Sequence, residues 1–169
     1  MPTAANVLLY AAIALLVLYR VVYRQVRGTL LDRKSLVTLP LVLTAAGAYL
    51  TLKALPGTSA GELGLLAVDL VVLAGLGVLR STTTTLTERD GTTFQKGSAV
   101  TIGLWALTVA VRIGLVALGT ALGVAGPLTS TSIALTLGVS ILVQNATTYL
   151  RIQRRGLPLA DRRPAALSR

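Results

Sequence analysis

The apolar positions of this chain fall into five long runs separated by short polar breaks. They cover about residues 4–23 ("AANVLLYAAIALLVLYRVVY"), 36–55, 62–79 ("ELGLLAVDLVVLAGLGVL"), 98–121 and 132–150. Within them apolar residues follow one another instead of alternating with polar ones, so the pattern is helical and not that of half-buried strands. At 1.5 Å per residue, runs of roughly 18–24 residues cross a hydrocarbon core of about 30 Å. The pattern predicts an all-α membrane protein: one domain, residues 1–155, built as a bundle of five transmembrane helices, then a basic, disordered tail over residues 156–169. Pro40 is expected in or near the first turn of the second helix, where a missing amide hydrogen costs least.

The break between the third and fourth runs has a different character. In "RSTTTTLTERDGTTFQKGS", threonines favour strands, and Asp90-Gly91 between two such stretches signals a tight hairpin turn. A short β-hairpin from about Thr83 to Lys96, with Glu88, Asp90, Gly91 and Lys96 near its tip and edges, is predicted. A two-stranded ribbon is marginally stable alone, so it should lean on the membrane surface, on the first basic loop or on a partner. It serves either as a rigid connector or as a docking or regulatory element.

Basic residues set the orientation. Arg20, Arg24, Arg27, Arg33 and Lys34 lie between runs one and two, Arg80, Arg89 and Lys96 between three and four, and Arg151, Arg154, Arg155, Arg162, Arg163 and Arg169 after run five. The other two connections hold Lys53 and the uncharged "GVAGPLTST". By the positive-inside rule the N-terminus is outside and the C-terminus cytoplasmic, and the excess of arginine over lysine with abundant Ala, Leu, Val, Gly and Thr hints at a bacterial cell membrane. The first run has no preceding basic residue and no Ala-x-Ala site, so it reads as an uncleaved anchor. Tyr10, Tyr19, Tyr23 and Tyr149 fall near run ends, as interfacial anchors do.

Composition narrows the function. The chain is 53% hydrophobic and 13% charged, against about 25% charged in soluble domains. Its net charge of +10 sits in loops and tail, where it fixes topology and can meet anionic lipid headgroups. No basic domain with interleaved aromatics points to nucleic acid. Cysteine and histidine are both absent, which removes thiol chemistry and histidine-ligated haem and leaves no zinc constellation. There is no Walker motif, no nucleophile–base set and no other metal constellation. Neither catalysis nor a cofactor is indicated.

The chemistry that remains lies inside the apolar runs. Asp69 and Arg112 are expected at similar depth in the outer half of the third and fourth helices. Each costs about 2.5–3.5 kcal/mol at a membrane-helix centre, and a bidentate pair offsets part of that. They are predicted to face each other, as a structural clamp or as a ligand or ion site; the alternative has Arg112 reaching to the outer interface. Ser140, Gln144 and Asn145 in the fifth helix act as interhelical hydrogen-bonding groups or line a polar cavity. Trp105 is expected to pack between helices. "GTALG", Gly119 to Gly123, is a GxxxG match and marks close helix packing.

The stretch "GLGVLRSTTTTLTERDGTTFQKG" followed by "LWALTVAVRIGL", with "LPLVLTAAGAYL" earlier, resembles the CcdC-like family, small bacterial membrane proteins of unassigned activity. The likeness rests on Arg80 closing a glycine-bearing helix, the Asp90-Gly91 turn, Lys96-Gly97, Trp105 and Arg112. It implies the same topology and marks Arg112 and the hairpin as family features. The family label suggests cytochrome c biogenesis, yet this chain has no cysteine for a thiol relay and no histidine for haem.

Two functional readings follow. One is a non-enzymatic accessory or scaffold protein, with a membrane-protein partner or a second copy of itself. The other is a small transporter or channel around Asp69 and Arg112. A cleft opening to one side with Arg112 in its lining favours the second; a closed interior favours the first.

Overall fold

A computed structural model describes residues 27–89 and 91–159, together with Tyr19 and Tyr23. The first apolar run apart from these two tyrosines, Asp90 and residues 160–169 lie outside the described residues. Among the described residues four long helices and one short one carry the fold: α1 (Arg33–Ala54), α2 (Ala60–Thr83), α3 (Ala99–Ala121), α4 (Pro127–Thr131) and α5 (Ile133–Arg154). Four segments of these, Leu36–Ala54, Ala60–Thr83, Ala99–Ala121 and Ile133–Arg154, are long and apolar enough to cross a membrane.

The sequence ends these helices by recognisable chemistry. Asp32 accepts from the Lys34 amide at the start of α1. Ser59 and Glu62 form a reciprocal capping box on α2, as Ser98 and Thr101 do on α3, which satisfies two orphan amides in each case. Pro127 opens α4, where its missing N–H is no loss. At the other end of α2 the helix runs a full turn past the predicted Leu79. Thr82, Thr83 and Thr84 turn their hydroxyls back to the carbonyls of Leu79, Arg80 and Ser81, and Arg151 of α5 donates to Ser81 O and Thr84 O. Threonines that suggest a strand thus finish a helix, because their hydroxyls supply the bonds its last turn lacks.

The helices lie side by side in the order α1, α5, α2, α3, with α5 packed on both α1 and α2. Both α5 contacts are backbone to backbone. A Cβ at Gly77 would lie 2.4 Å from Ser140 O, and one at Gly47 would lie 2.1 Å from the Leu135 nitrogen. The Gly119–Gly123 motif does not make such a contact: Gly119 faces the Leu65 side chain and Gly123 open space. Burial is reversed from that of a water-soluble domain. Threonines, serines, Asp69 and Arg80 fill the space between helices, while Leu, Val and Ile side chains cover much of the outside. Packing and hydrogen bonds, not apolar burial, join these helices, as expected where the surrounding solvent is itself apolar.

One end of the bundle carries a three-stranded antiparallel sheet: β1 (Thr29–Leu30), β2 (Thr85–Arg89) and β3 (Thr92–Lys96), in the order β1-β3-β2. Gly91 turns the hairpin with φ 69°, the left-handed conformation that Asp-Gly turns need. Phe94 pairs with Thr87 on one side and Leu30 on the other, so the first basic loop is what the ribbon leans on. Beneath the sheet lies an apolar cluster of Leu31, Leu36, Leu86 and Ile152, with Tyr149, Leu157 and Leu159 against it. Residues 157–159 therefore depart from the disordered tail expected there: Pro158 O accepts from both the amide and the hydroxyl of Thr93, at 2.8 and 2.6 Å.

Pro40 also departs from expectation, since α1 begins at Arg33 and places it inside the helix. An interior proline leaves the carbonyl four residues earlier without its amide partner. That carbonyl is Leu36 O, and Asn145 Nδ2 donates to it from α5 at 2.7 Å.

Candidate functional site

Two polar centres lie between the helices, one toward each end. Because α2 and α3 run in opposite directions, Asp69 and Arg112 both fall about 13 Å from the end opposite the sheet, at 1.5 Å per residue. Arg112 Nη1 donates to Asp69 Oδ2, while Nη2 donates to Thr129 O and to Ser132 Oγ, the latter at 3.3 Å. One guanidinium thus ties α3 to α2, to the short α4 and to the start of α5. Asp69 is 1% exposed and Arg112 14%. Thr136 lies beside the same carboxylate, but its hydroxyl bonds to Ile133 O at 3.3 Å, and Asp69 Oδ1 is left without a partner.

A third ionisable group completes this centre. Glu62, in the first turn of α2, is 7% exposed. Its Oε2 accepts from the Ser59 amide at 3.4 Å, and its Oε1 packs against Gly126, where a Cβ would lie 2.2 Å away. A side chain at residue 126 would make this carboxylate shift. Glu62, Asp69 and Arg112 line one cleft with Leu65, Leu128, Thr129 and Ser132, and the enclosed part, about 10 Å³, has room for about one water molecule. Among the described residues five buried side-chain polar atoms lack a hydrogen-bond partner, and three of them, Glu62 Oε1, Asp69 Oδ1 and Arg112 Nε, belong to this trio. Buried polar atoms rarely stay unpaired, so their gathering at one cleft makes it the candidate site of the described residues.

The second centre is Arg80, toward the sheet end of α2. Its side chain is 0% exposed. Nε donates to Gln144 Oε1 at 3.0 Å, Nη1 to Thr108 Oγ1 at 2.6 Å and Nη2 to Ser140 Oγ at 2.6 Å. The guanidinium carbon stands 4.0 Å over the Trp105 ring, so the ring's negative face meets the charge. Among the described residues no carboxylate forms an ion pair with it; its acceptors are neutral hydroxyls and an amide. The sequence reading assigned Arg80 to the loop after the third run; here it is the last charged residue of the helix and points inward.

The stripe that receives these groups runs down α5: Ser132, Thr136, Ser140, Gln144 and Thr148, all buried and each four residues after the last. Ser132 meets Arg112, Ser140 and Gln144 meet Arg80, and Thr148 meets Ser81 at 3.1 Å. Of the residues singled out from sequence, Asp69 and Arg112 come together at one centre, and Ser140 and Gln144 at the other. Asn145 turns away from both, to Leu36. Glu88 and Lys96 lie exposed in β2 and β3, with Gly91 between them, remote from either centre. Glu62, Arg80, Trp105 and Thr108 are what residue-by-residue reasoning missed as site members, although the four-residue spacing of polar positions in α5 was a readable signal of one continuous polar face.

Among the described residues no cluster of His, Cys, Asp and Glu could hold a metal ion. Comparison of the chain with protein families, with curated proteins and with solved structures finds no match.

Proposed function

We propose that this is a bacterial cell-membrane protein of five spans, with its N-terminus outside, that acts as a non-enzymatic accessory or scaffold subunit of a larger membrane complex. The observation that carries this reading is the Arg80 centre. A cation with no exposed surface, its three nitrogens engaged by α3 and α5, holds helices together and offers nothing to a diffusing ligand. It also sets a fixed positive charge against the polar face of α5, on Ser140 and Gln144. The helix order leaves α3 packed on α2, with Val100, Leu107, Ile113 and Leu118 on its exposed surface, available to lipid or to a partner helix. The sheet end holds Arg27, Lys34, Arg89, Lys96, Arg154 and Arg155, and the opposite end Lys53, which supports a cytoplasmic sheet. The residues that resemble CcdC-like proteins, Arg80, Gly91, Lys96, Trp105 and Arg112, belong to the sheet and to both centres, and we extend the proposal to that kinship.

Native mass spectrometry of the chain gently extracted from its own membrane tests the reading. A stoichiometric protein partner supports it. A chain that travels alone and carries solute flux when reconstituted in vesicles overturns it in favour of the second reading, a small transporter. That alternative draws on the cleft lined by Glu62, Asp69 and Arg112.

A further inference from the structure

The outer face of α3 is not shaped like a surface left to lipid. Thr101, Trp105, Thr108 and Gly119 face Thr83, Arg80 and Leu65 of α2. On the opposite side Gly103, Ala106, Ala110, Gly114 and Ala117 recur every three or four residues, and all are exposed. A Cβ at Gly103 or at Gly114 would meet nothing within 4 Å. Larger exposed side chains stand along both edges of this stripe, Val100, Leu107 and Leu118 on one side and Ile102, Val109 and Ile113 on the other. The result is a groove with a floor of small residues, the form that lets a second helix approach closely within a membrane.

The path of the chain points to the occupant. β1 pairs antiparallel with β3, Leu30 opposite Phe94 and Thr29 opposite Gln95. Each step back along the chain from β1 is therefore a step along β3 toward Ser98, the N-cap of α3. Gly28 keeps to that line: its φ is 76°, and the Phe94 ring leaves no room for a Cβ. Arg27, Tyr23 and Tyr19 are helical, four residues apart and exposed. Their side chains stack along one face, the two rings 5.7 Å apart and the Arg27 guanidinium 4.9 Å from the Tyr23 centroid. The helix that holds them meets the sheet beside the start of α3.

We propose that the first apolar run, about residues 4–23, lies antiparallel in this groove of α3. Both helices rise by about 1.5 Å per residue, so the strand register carries into them and sets Ala14 level with Ala110 and Tyr10 level with Gly114. Continued back from Tyr19 at about 100° per residue, the face opposite the stacked tyrosines presents Val7, Tyr10, Ala14, Leu18 and Val21. These fall level, in turn, with Ala117, Gly114, Ala110, Ala106 and Gly103. Except where Ala14 meets Ala110, a larger side chain meets a small one, so knobs fill the groove along its length. The proposal rests on the five-span part of the reading above and not on the accessory role.

The chain has no cysteine, so introduced pairs report cleanly. The full chain with Ala14→Cys and Ala110→Cys is oxidised in lipid vesicles. A disulfide within one chain, mapped by peptide mass spectrometry of the monomer band, is the expected result, since it needs Cα atoms within about 7 Å. Ala14→Cys with Val42→Cys, on the exposed side of α1, should stay reduced. Adding Gly114→Leu, which fills the groove, should abolish the cross-link, whereas Gly75→Leu on an open face of α2 should leave it intact. A cross-link to α1 overturns the proposal, as does a disulfide between two chains that carry Ala110→Cys alone, which makes the groove a self-association surface. Absence of both cross-links overturns it too and leaves the groove to lipid or another protein. Thr3→Cys and Arg169→Cys, each probed with a membrane-impermeant maleimide, separate that failure from a failure of topology. Labelling from opposite sides without a cross-link sinks the packing alone; labelling from one side sinks the five spans as well.

Discussion

Asn145 donates its side-chain amide to the carbonyl of Leu36, the very acceptor that Pro40 leaves without a backbone partner. A proline inside a helix surrounded by lipid exposes a carbonyl with no water to satisfy it, and here a neighbouring helix supplies the missing donor. We expect Asn145→Leu to destabilise the bundle by about 1–2 kcal/mol. In a Pro40→Ala background, where residue 40 regains its N–H, the same change should cost much less. Unfolding of the four variants in detergent, read as a double-mutant cycle, measures the coupling.

Arg80 offers a sharper test. Arg80→Ala leaves Gln144, Ser140 and Thr108 short of a donor and strips Trp105 of its cation, and we expect a loss of about 3–5 kcal/mol, the scale for breaking a buried charge network. Arg80→Lys should recover only part of it, because a point-charged ammonium cannot present the planar fork that reaches three acceptors at once. Trp105 is the chain's single tryptophan, so its fluorescence reports directly. Emission that shifts to the red in Arg80→Ala, measured before any global unfolding, is the expected result.

The Asp69–Arg112 pair should behave as coupled charges do in an apolar medium. Asp69→Ala and Arg112→Ala each strand a buried partner and should cost about 3–5 kcal/mol. Replacing both by apolar residues of similar volume, as in Asp69→Leu with Arg112→Met, should restore much of that stability. Thermal unfolding compared across the cycle checks it; equal and additive losses would show that the two side chains act separately.

Glycines two residues apart in α2 give an internal control. Gly77 faces Ser140 O at a distance where no Cβ fits, whereas a Cβ at Gly75 meets nothing within 4 Å. Gly77→Ala should force α2 and α5 apart and loosen the Arg80 centre. Gly75→Ala should be neutral or stabilising by up to about 1 kcal/mol, the difference in helix propensity. Melting temperatures of the two variants decide the matter.

These examples also mark what could be read from the chain alone. Helices α1, α2, α3 and α5 follow from unbroken apolar runs, and the hairpin from Asp90-Gly91, because both signals are local. The depth match of Asp69 and Arg112 needed only helix rise and antiparallel direction. Arg80 was hidden for a physical reason: a basic residue right after an apolar run looks the same whether it ends a span or turns inward, and the choice depends on Trp105, Thr108 and Gln144, which other helices bring. Pro40 and Asn145 are likewise meaningful only as a pair, and nothing local in either predicts the other. Glu62 reads from sequence as an ordinary helix start; the approach of Gly126 from a distant loop is what makes it part of a cleft.

The sheet draws on three separate stretches of chain: Thr29–Leu30, the hairpin, and Pro158 bonded to Thr93. Between the first and second lie two long helices, and between the second and third lie two more. Each pair must return the chain to the side it left before the sheet can close. β1 precedes the hairpin in the chain, so the three strands can pair first, and Pro158 adds its bonds to Thr93 only after the last helix. The contact of Pro158 with Thr93 therefore forms only when the long helices bring the chain back to one side of the bundle. The small sheet ties an early and a late stretch of the described chain to the same end.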